Sequence, residues 1–178
     1  MDFAFENMVA INFINLDNAR ACEVLEMRNA VREFMLKRRK ISKDEHFRFI
    51  ETLKKNKKNA YFAVYEESIN FIGVVCINEI DLANKNAFFG IYGINHGAKL
   101  LQILRFIAFG ELNLHILYAK VFATNNRAIR FYQKNGFVRC GAMIEAIKDG
   151  EKFIDLEIWA LRNDSPENPP QKRKKGRK

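Results

Sequence analysis

The 178-residue sequence lacks most of the features that would tie it to a membrane, a disulfide framework or a metal. No apolar run reaches the roughly 18–20 residues that a membrane-spanning helix needs. The opening Met1-Asp2-Phe3-Ala4-Phe5-Glu6 has neither the basic region nor the apolar core of a secretory signal. A soluble, cytoplasmic protein without membrane contacts is therefore the expectation. The three cysteines, Cys22, Cys76 and Cys140, are odd in number and far apart. They suit neither paired disulfides nor a metal site, so no metal is expected and they read as small core hydrophobes. Proline is absent before Pro166, and Pro169 and Pro170 are the only others. No proline-rich linker divides the chain ahead of that point.

What is present points to one domain. Apolar residues make up 48% of the chain, with 16 phenylalanines, which is enough for a sizeable core. The formal charge of +9 is unevenly spread. Residues 165–178 hold six Lys or Arg against one Glu, so +5 of the total lies there and +4 in the rest. That segment has almost nothing apolar to bury and reads as a disordered basic tail following a domain of residues 1–164. It suits either a tether to nucleic acid or an acidic surface, or a plain solvated extension. Nothing outside the tail suggests nucleic acid.

Patterning predicts a mixed α/β sheet. Val9–Ile14 reads as a strand, and Asp17–Arg28 as a helix. Ser42 with Glu45 three residues on is a capping-box pattern, and Phe47, Ile50 and Leu53 give the next helix its stripe. Tyr61–Glu66, Phe71–Ile80 and Ala87–Ile94 follow as an antiparallel meander. The middle run is apolar enough to be buried on both faces. Gly97–Phe109 is an amphipathic helix, Ile116–Phe122 a strand and Asn126–Asn135 a helix. Strands near Phe137–Ile144 and Phe153–Leu161 close the fold around the turn Lys148-Asp149-Gly150-Glu151.

Two places carry candidate chemistry. Gly90 and Gly93 interrupt a strand, which often marks a bulge or a close backbone approach. The segment Asn95-His96-Gly97-Ala98-Lys99 then opens a helix whose free N–H groups can hold a phosphate, or simply makes a tight turn. Further on, Asn125, Ala128 and Tyr132 share one helix face. Asn125 is an N-cap by type. Ala128 leaves room along that face, and Tyr132 is either a core aromatic or a proton donor at a helix mouth.

The run Asn125-x-x-Ala128-Ile129-x-Phe131-Tyr132-x-Lys134-x-Gly136-Phe137 resembles the closing motif of the GCN5-related N-acetyltransferases. The predicted element order matches that fold from about Val9 to Leu161. The resemblance implies a mostly antiparallel sheet of about seven strands flanked by about four helices. It also implies acetyl-CoA as co-substrate, lying in a splay between the strand at Phe88–Ile94 and the strand at Ile116–Phe122. The pantetheine arm would pair with backbone at Ile91, Tyr92 and Gly93, and the pyrophosphate would sit at His96, Gly97, Ala98 and Lys99. Asn125 and Ala128 would line the same arm. The phosphate loop departs from the family pattern: no Arg or Gln precedes its glycines.

A narrower resemblance rests on Leu25-Glu26-Met27-Arg28-Asn29, Phe34-Met35 and Ser42-x-x-Glu45-His46-x-x-Phe49-Ile50. It is to bacterial acetyltransferases of UDP-linked amino sugars, in pseudaminic acid biosynthesis for flagellin glycosylation, and implies acetylation of the sugar 4-amino group. Arg28, Asn29 and His46 are the corresponding substrate-side residues, Arg28 facing a UDP phosphate or serving as an ion-pair partner. The amine would attack the thioester directly, with Tyr132 protonating the leaving thiolate. Glu79 and His46 are the candidate bases. A homodimer is compatible with this class. The competing expectations are an acetyltransferase of protein N-termini and a non-catalytic module that binds acetyl-CoA or RNA.

Overall fold

The strands β1 (Phe3–Phe5) and β2 (Met8–Asn12) form a hairpin at one sheet edge. The computed structural model describes residues 1–163, and the basic tail lies outside them. After β2 the chain makes a 3-10 turn, Phe13–Asn15, and then α1 (Asn18–Ala30) and α2 (Lys43–Lys55). It returns as β3 (Ala60–Glu66), β4 (Asn70–Asp81) and β5 (Asn86–Tyr92), each antiparallel to the strand before it. α3 (Gly97–Arg105) widens into a π-helical stretch, Phe106–Glu111. β6 (Ile116–Phe122) then lies parallel to β5, α4 (Asn126–Lys134) crosses over, and β7 (Val138–Asp149) and β8 (Lys152–Arg162) form the last hairpin. β8 inserts beside β6, so the sheet order is β1-β2-β3-β4-β5-β6-β8-β7.

Eight strands replace the expected seven because Phe3–Phe5 is too short to show alternation and forms only by pairing with β2. The first expected strand stops at Asn12, whose side chain accepts the Ile14 N–H and turns the chain. β5 stops at Tyr92 rather than Ile94, since Asn95 takes a left-handed φ of 63°. The helix expected to reach Phe109 is α-helical only to Arg105.

Two apolar layers sandwich the sheet. One packs α3 on β4, β5 and β6 through Leu101, Leu104, Ile77, Phe89 and Leu117. The other packs α1 and α2 on β3 and β4 through Val24, Ile50, Ala63 and Val74. β4 is buried from Ile72 to Ile77, as its unbroken apolar run predicts.

The helix starts follow local chemistry. Asp17 accepts the Arg20 N–H at 2.8 Å, and Ser42 accepts the Glu45 N–H at 3.3 Å. The capping box is only half formed, because the Glu45 carboxylate binds Arg39 instead of turning back to Ser42.

Candidate active site

β5 and β6 pair at three positions only, Asn86 with Ile116, Ala87 with Leu117 and Phe88 with Tyr118. Beyond Phe88 they part. β5 stays bonded to β4 as far as Tyr92, and β6 stays bonded to β8 as far as Phe122. The edges of Phe89–Tyr92 and Ala119–Phe122 that face each other therefore carry no sheet partner. Backbone groups on such an edge need partners, and an extended ligand can supply them as an added strand does.

Tyr132 stands beside this opening. Its ring packs 4.8 Å from Phe137 and 6.1 Å from both Phe89 and Trp159. Burial, with a smaller contribution from Cys76, pushes the phenol well above its ordinary value. The hydroxyl is held protonated, so it is a donor and never a base at neutral pH. It is also a weaker acid than a free phenol, so proton transfer to a thiolate must be coupled to bond breaking. α4 is fixed at both ends. Asn125 accepts the Ala128 N–H at 3.1 Å, and buried Arg105 donates to the Asn135 carbonyl at 2.7 Å.

The strand glycines mark close approaches. A Cβ on Gly90 would stand 2.8 Å from Cys76 Sγ on β4. A Cβ on Gly93 would stand 2.6 Å from the Ile72 carbonyl oxygen. Burial raises the Cys76 thiol to about 11, although Asn78 Nδ2 approaches the sulfur at 3.4 Å. It is a packing group, as expected. Tyr92 turns its ring to the α1/α2 face, so it is the backbone of Tyr92, with that of Ile91, that borders the opening.

At the start of α3, His96 makes no side-chain cap, which leaves the first helical N–H groups of Gly97, Ala98 and Lys99 open to an anion. Gly97 abuts Phe131 of α4, whose ring would lie 3.3 Å from an added Cβ. The Lys99 ammonium pairs with Glu66, so its charge is shared with a carboxylate at the end of β3.

On the opposite face the structure redistributes the expected roles. His46 is 5% exposed between the rings of Phe13 and Phe47, and burial holds its pKa down. It belongs to the packing of α2 rather than to an open site. Arg28 lies beneath the loop joining α1 to α2. Its guanidinium donates to the Lys37 carbonyl at 2.5 Å and the Arg39 carbonyl at 2.6 Å. Asn29 donates to the Ile41 carbonyl at 3.0 Å and accepts the Ile41 N–H at 2.9 Å. The two residues clamp this loop and do not face a cleft. Glu79 sits in a bulge of β4 at φ 53°, its carboxylate 3.6 Å from Lys120 Nζ. Lys120 lies 4.1 Å over the ring of Phe88, the last β5 residue paired to β6, so Glu79 marks the vertex of the splay.

A cleft of about 420 Å³ opens beyond the other end of the splay. Glu33, Phe34 and Arg38 line one wall, and Phe122, Thr124 and Asn125 the other. Arg38 was not expected in a site. Its guanidinium lies 4.6 Å over the Phe122 ring and 2.5 Å from the Asp149 carboxylate. The available signal was compositional: residues 32–43 hold the cations Arg32, Lys37, Arg38, Arg39, Lys40 and Lys43 against Glu33 alone.

The model of the acetyltransferase (GNAT) domain family matches residues 11–159. The chain belongs to that family. Acetyltransferase PseH of Campylobacter jejuni is 32% identical over 132 residues, covering 71% of this chain and 82% of the relative. Spermidine N(1)-acetyltransferase of Vibrio cholerae is 28% identical over 102 residues, 54% of this chain and 59% of that one. Among solved structures, the Vibrio cholerae spermidine N-acetyltransferase in complex with CoA and spermine superposes with a TM-score of 0.78 at 20% identity, covering 88% of this chain and 96% of that one. The Campylobacter jejuni PseH in complex with acetyl coenzyme A gives a TM-score of 0.67 at 25% identity, covering 87% and 98%.

This GNAT protein is thus an N-acetyltransferase, with acetyl-CoA as the acetyl donor. The opening fits that donor: it offers two unpaired strand edges, a small residue at Ala128 and an uncapped helix start. Among the described residues, no helix is long and apolar enough to cross a membrane.

Proposed function

We propose that this GNAT enzyme acetylates the 4-amino group of a UDP-linked amino-dideoxy sugar, the step of pseudaminic acid biosynthesis that serves flagellin glycosylation. The observation that carries this reading is the guanidinium of Arg38 on the cleft wall that it shares with Glu33 and Phe34. The loop bearing Arg38 is strongly cationic, and Arg38 lies on an aromatic ring at the open end of the splay. A nucleotide diphosphate suits that wall, because a guanidinium fork matches phosphate oxygens. A polyamine carries the opposite charge. The likeness to PseH supports the same acceptor class.

Acetyl-CoA supplies the acetyl group as an activated thioester. The residues of this chain do the rest. Backbone N–H groups of the Ile91–Gly93 segment orient the donor and polarise its carbonyl. The acceptor ammonium gives up its proton through a water chain, with Glu79 at the vertex as the carboxylate that can receive it. The neutral amine then forms the C–N bond as the C–S bond breaks; Tyr132 gives its proton to the sulfur, and the second proton, shed by the new amide nitrogen, restores the phenol through water.

The test is steady-state thiol release from acetyl-CoA with the UDP-4-amino sugar and, separately, with spermidine. The UDP-linked amine should have the higher kcat/KM by roughly tenfold or more. A preference for spermidine would refute the acceptor class and leave the acetyltransferase intact.

A further inference from the structure

We infer that Arg38 is the acceptor-specificity residue of this enzyme, a diphosphate reader whose ligand position is held in the free protein by the carboxylate of Asp149. The inference rests on the acceptor reading above and names the residue that would enforce it.

Three observations converge on Arg38. Its backbone is immobilised from below, because the carbonyls of the residues on either side, Lys37 and Arg39, both accept from the buried guanidinium of Arg28. A buried arginine committed to holding two loop carbonyls is a costly device unless the loop must stand in one place. The side chain of Arg38 is then oriented from the side, since the Phe122 ring at 4.6 Å fixes the plane of its guanidinium. Finally, one terminal nitrogen is already occupied by an anion, Asp149 at 2.5 Å, while Nε is buried without a partner. Nε is shielded from solvent, so a phosphate would engage the terminal nitrogens of the fork in place of the carboxylate.

Asp149 is well placed to yield. It comes from the far tip of the β7–β8 hairpin, and its side chain is 46% exposed. An exposed ion pair of this kind contributes little stability, about 0–1 kcal/mol. A diphosphate brings more charge and more acceptor oxygens to the same fork. On the same wall of the cleft, Phe34 is 62% exposed and offers a ring on which a nucleobase can stack. Phosphate on Arg38 and base on Phe34 would leave the sugar amine directed toward the splay.

Direct binding tests this independently of turnover. UDP and inorganic pyrophosphate are each titrated by calorimetry into the full chain saturated with CoA, which fills the donor's own pyrophosphate position. The variants are Arg38→Gln, Asp149→Asn and Phe34→Ala, with circular dichroism confirming their fold. Arg38→Gln should weaken UDP by about 10- to 100-fold, the loss of one or two charge-assisted hydrogen bonds. Asp149→Asn should tighten UDP by removing the internal competitor, and it remains informative if the arginine variant fails to fold. Phe34→Ala should weaken UDP and leave pyrophosphate unchanged, which separates a nucleotide from a bare diphosphate. UDP binding that is absent from wild type, or equal in wild type, Arg38→Gln and Asp149→Asn, overturns the inference. Arg38-dependent UDP binding without turnover of the UDP-amino sugar would sustain Arg38 as a diphosphate reader and sink the acceptor assignment, and with it the specificity role.

Discussion

Replacing Tyr132 with Phe isolates the proposed proton donor, because the structure separates its packing from its chemistry. The ring is held by Phe89, Phe137 and Trp159. These contacts involve carbon, and a phenylalanine keeps all of them. Removing a buried hydroxyl together with its desolvation cost is close to neutral for stability. Tm should therefore stay within a few degrees, and the affinity for CoA should be unchanged by calorimetry. Activity should behave differently. A positioned general acid contributes typically 10²–10⁴-fold, or about 2.7–5.4 kcal/mol of barrier. The loss should appear in kcat, measured as thiol release at saturating concentrations of both substrates. The pH profile adds a second reading. Burial raises the phenol, so its donor form persists at every pH below the raised value and is lost only as pH climbs through it. Wild-type kcat should show no alkaline decline from this group up to about pH 10, the ordinary phenol value. A Tyr132→Phe enzyme with kcat within twofold of wild type would remove Tyr132 from the mechanism. An unfolded variant would show instead that the hydroxyl has a structural partner.

Two further outcomes follow from close contacts. Gly90→Ala drives a Cβ to 2.8 Å from Cys76 Sγ and should cost about 1–3 kcal/mol in denaturant unfolding. Adding Cys76→Ala should recover most of it, and strict additivity of the two changes would refute the contact. Arg28→Gln releases the Lys37 and Arg39 carbonyls, so the KM for the acceptor should rise several-fold more than the KM for acetyl-CoA. Equal changes in both would show a general loss of packing rather than a positioning role.

The alternative classes raised by the sequence divide along the same lines. Membership of the acetyltransferase family favours an enzyme over a non-catalytic module. Protein N-termini as acceptors would find an anion-reading arginine at the cleft of no use, and the Arg38 titrations bear on that as well.

The sequence by itself determined what depends on residues near in the chain. The apolar runs of β2 and β4, the stripe of α3 and the Asn125 cap all rest on residues within a few positions of one another. So does the closing motif, which put Asn125, Ala128 and Tyr132 on one helix face. The meander was legible for the same reason, since its links are short.

What only the tertiary structure decided involves residues that the sheet or a loop closure brings together. The splay is the failure of β5 and β6 to pair past Phe88, and no pattern within either strand shows where pairing stops. Gly90 faces Cys76 because β4 and β5 are in register there, and Gly93, just past the end of β5, closes on the Ile72 carbonyl. His46 has the pKa of a base on paper, but α2 turns it into an apolar layer that suppresses its charged form. The exchange between the two arginines is the sharpest case. Both are cations near an acceptor loop in the sequence. The closure of that loop over α1 buries Arg28 against its carbonyls, where its donors are consumed, and lifts Arg38 onto Phe122, where its partner is the exposed carboxylate of Asp149. Charge is a property of the sequence, whereas the groups that satisfy it are set by the fold.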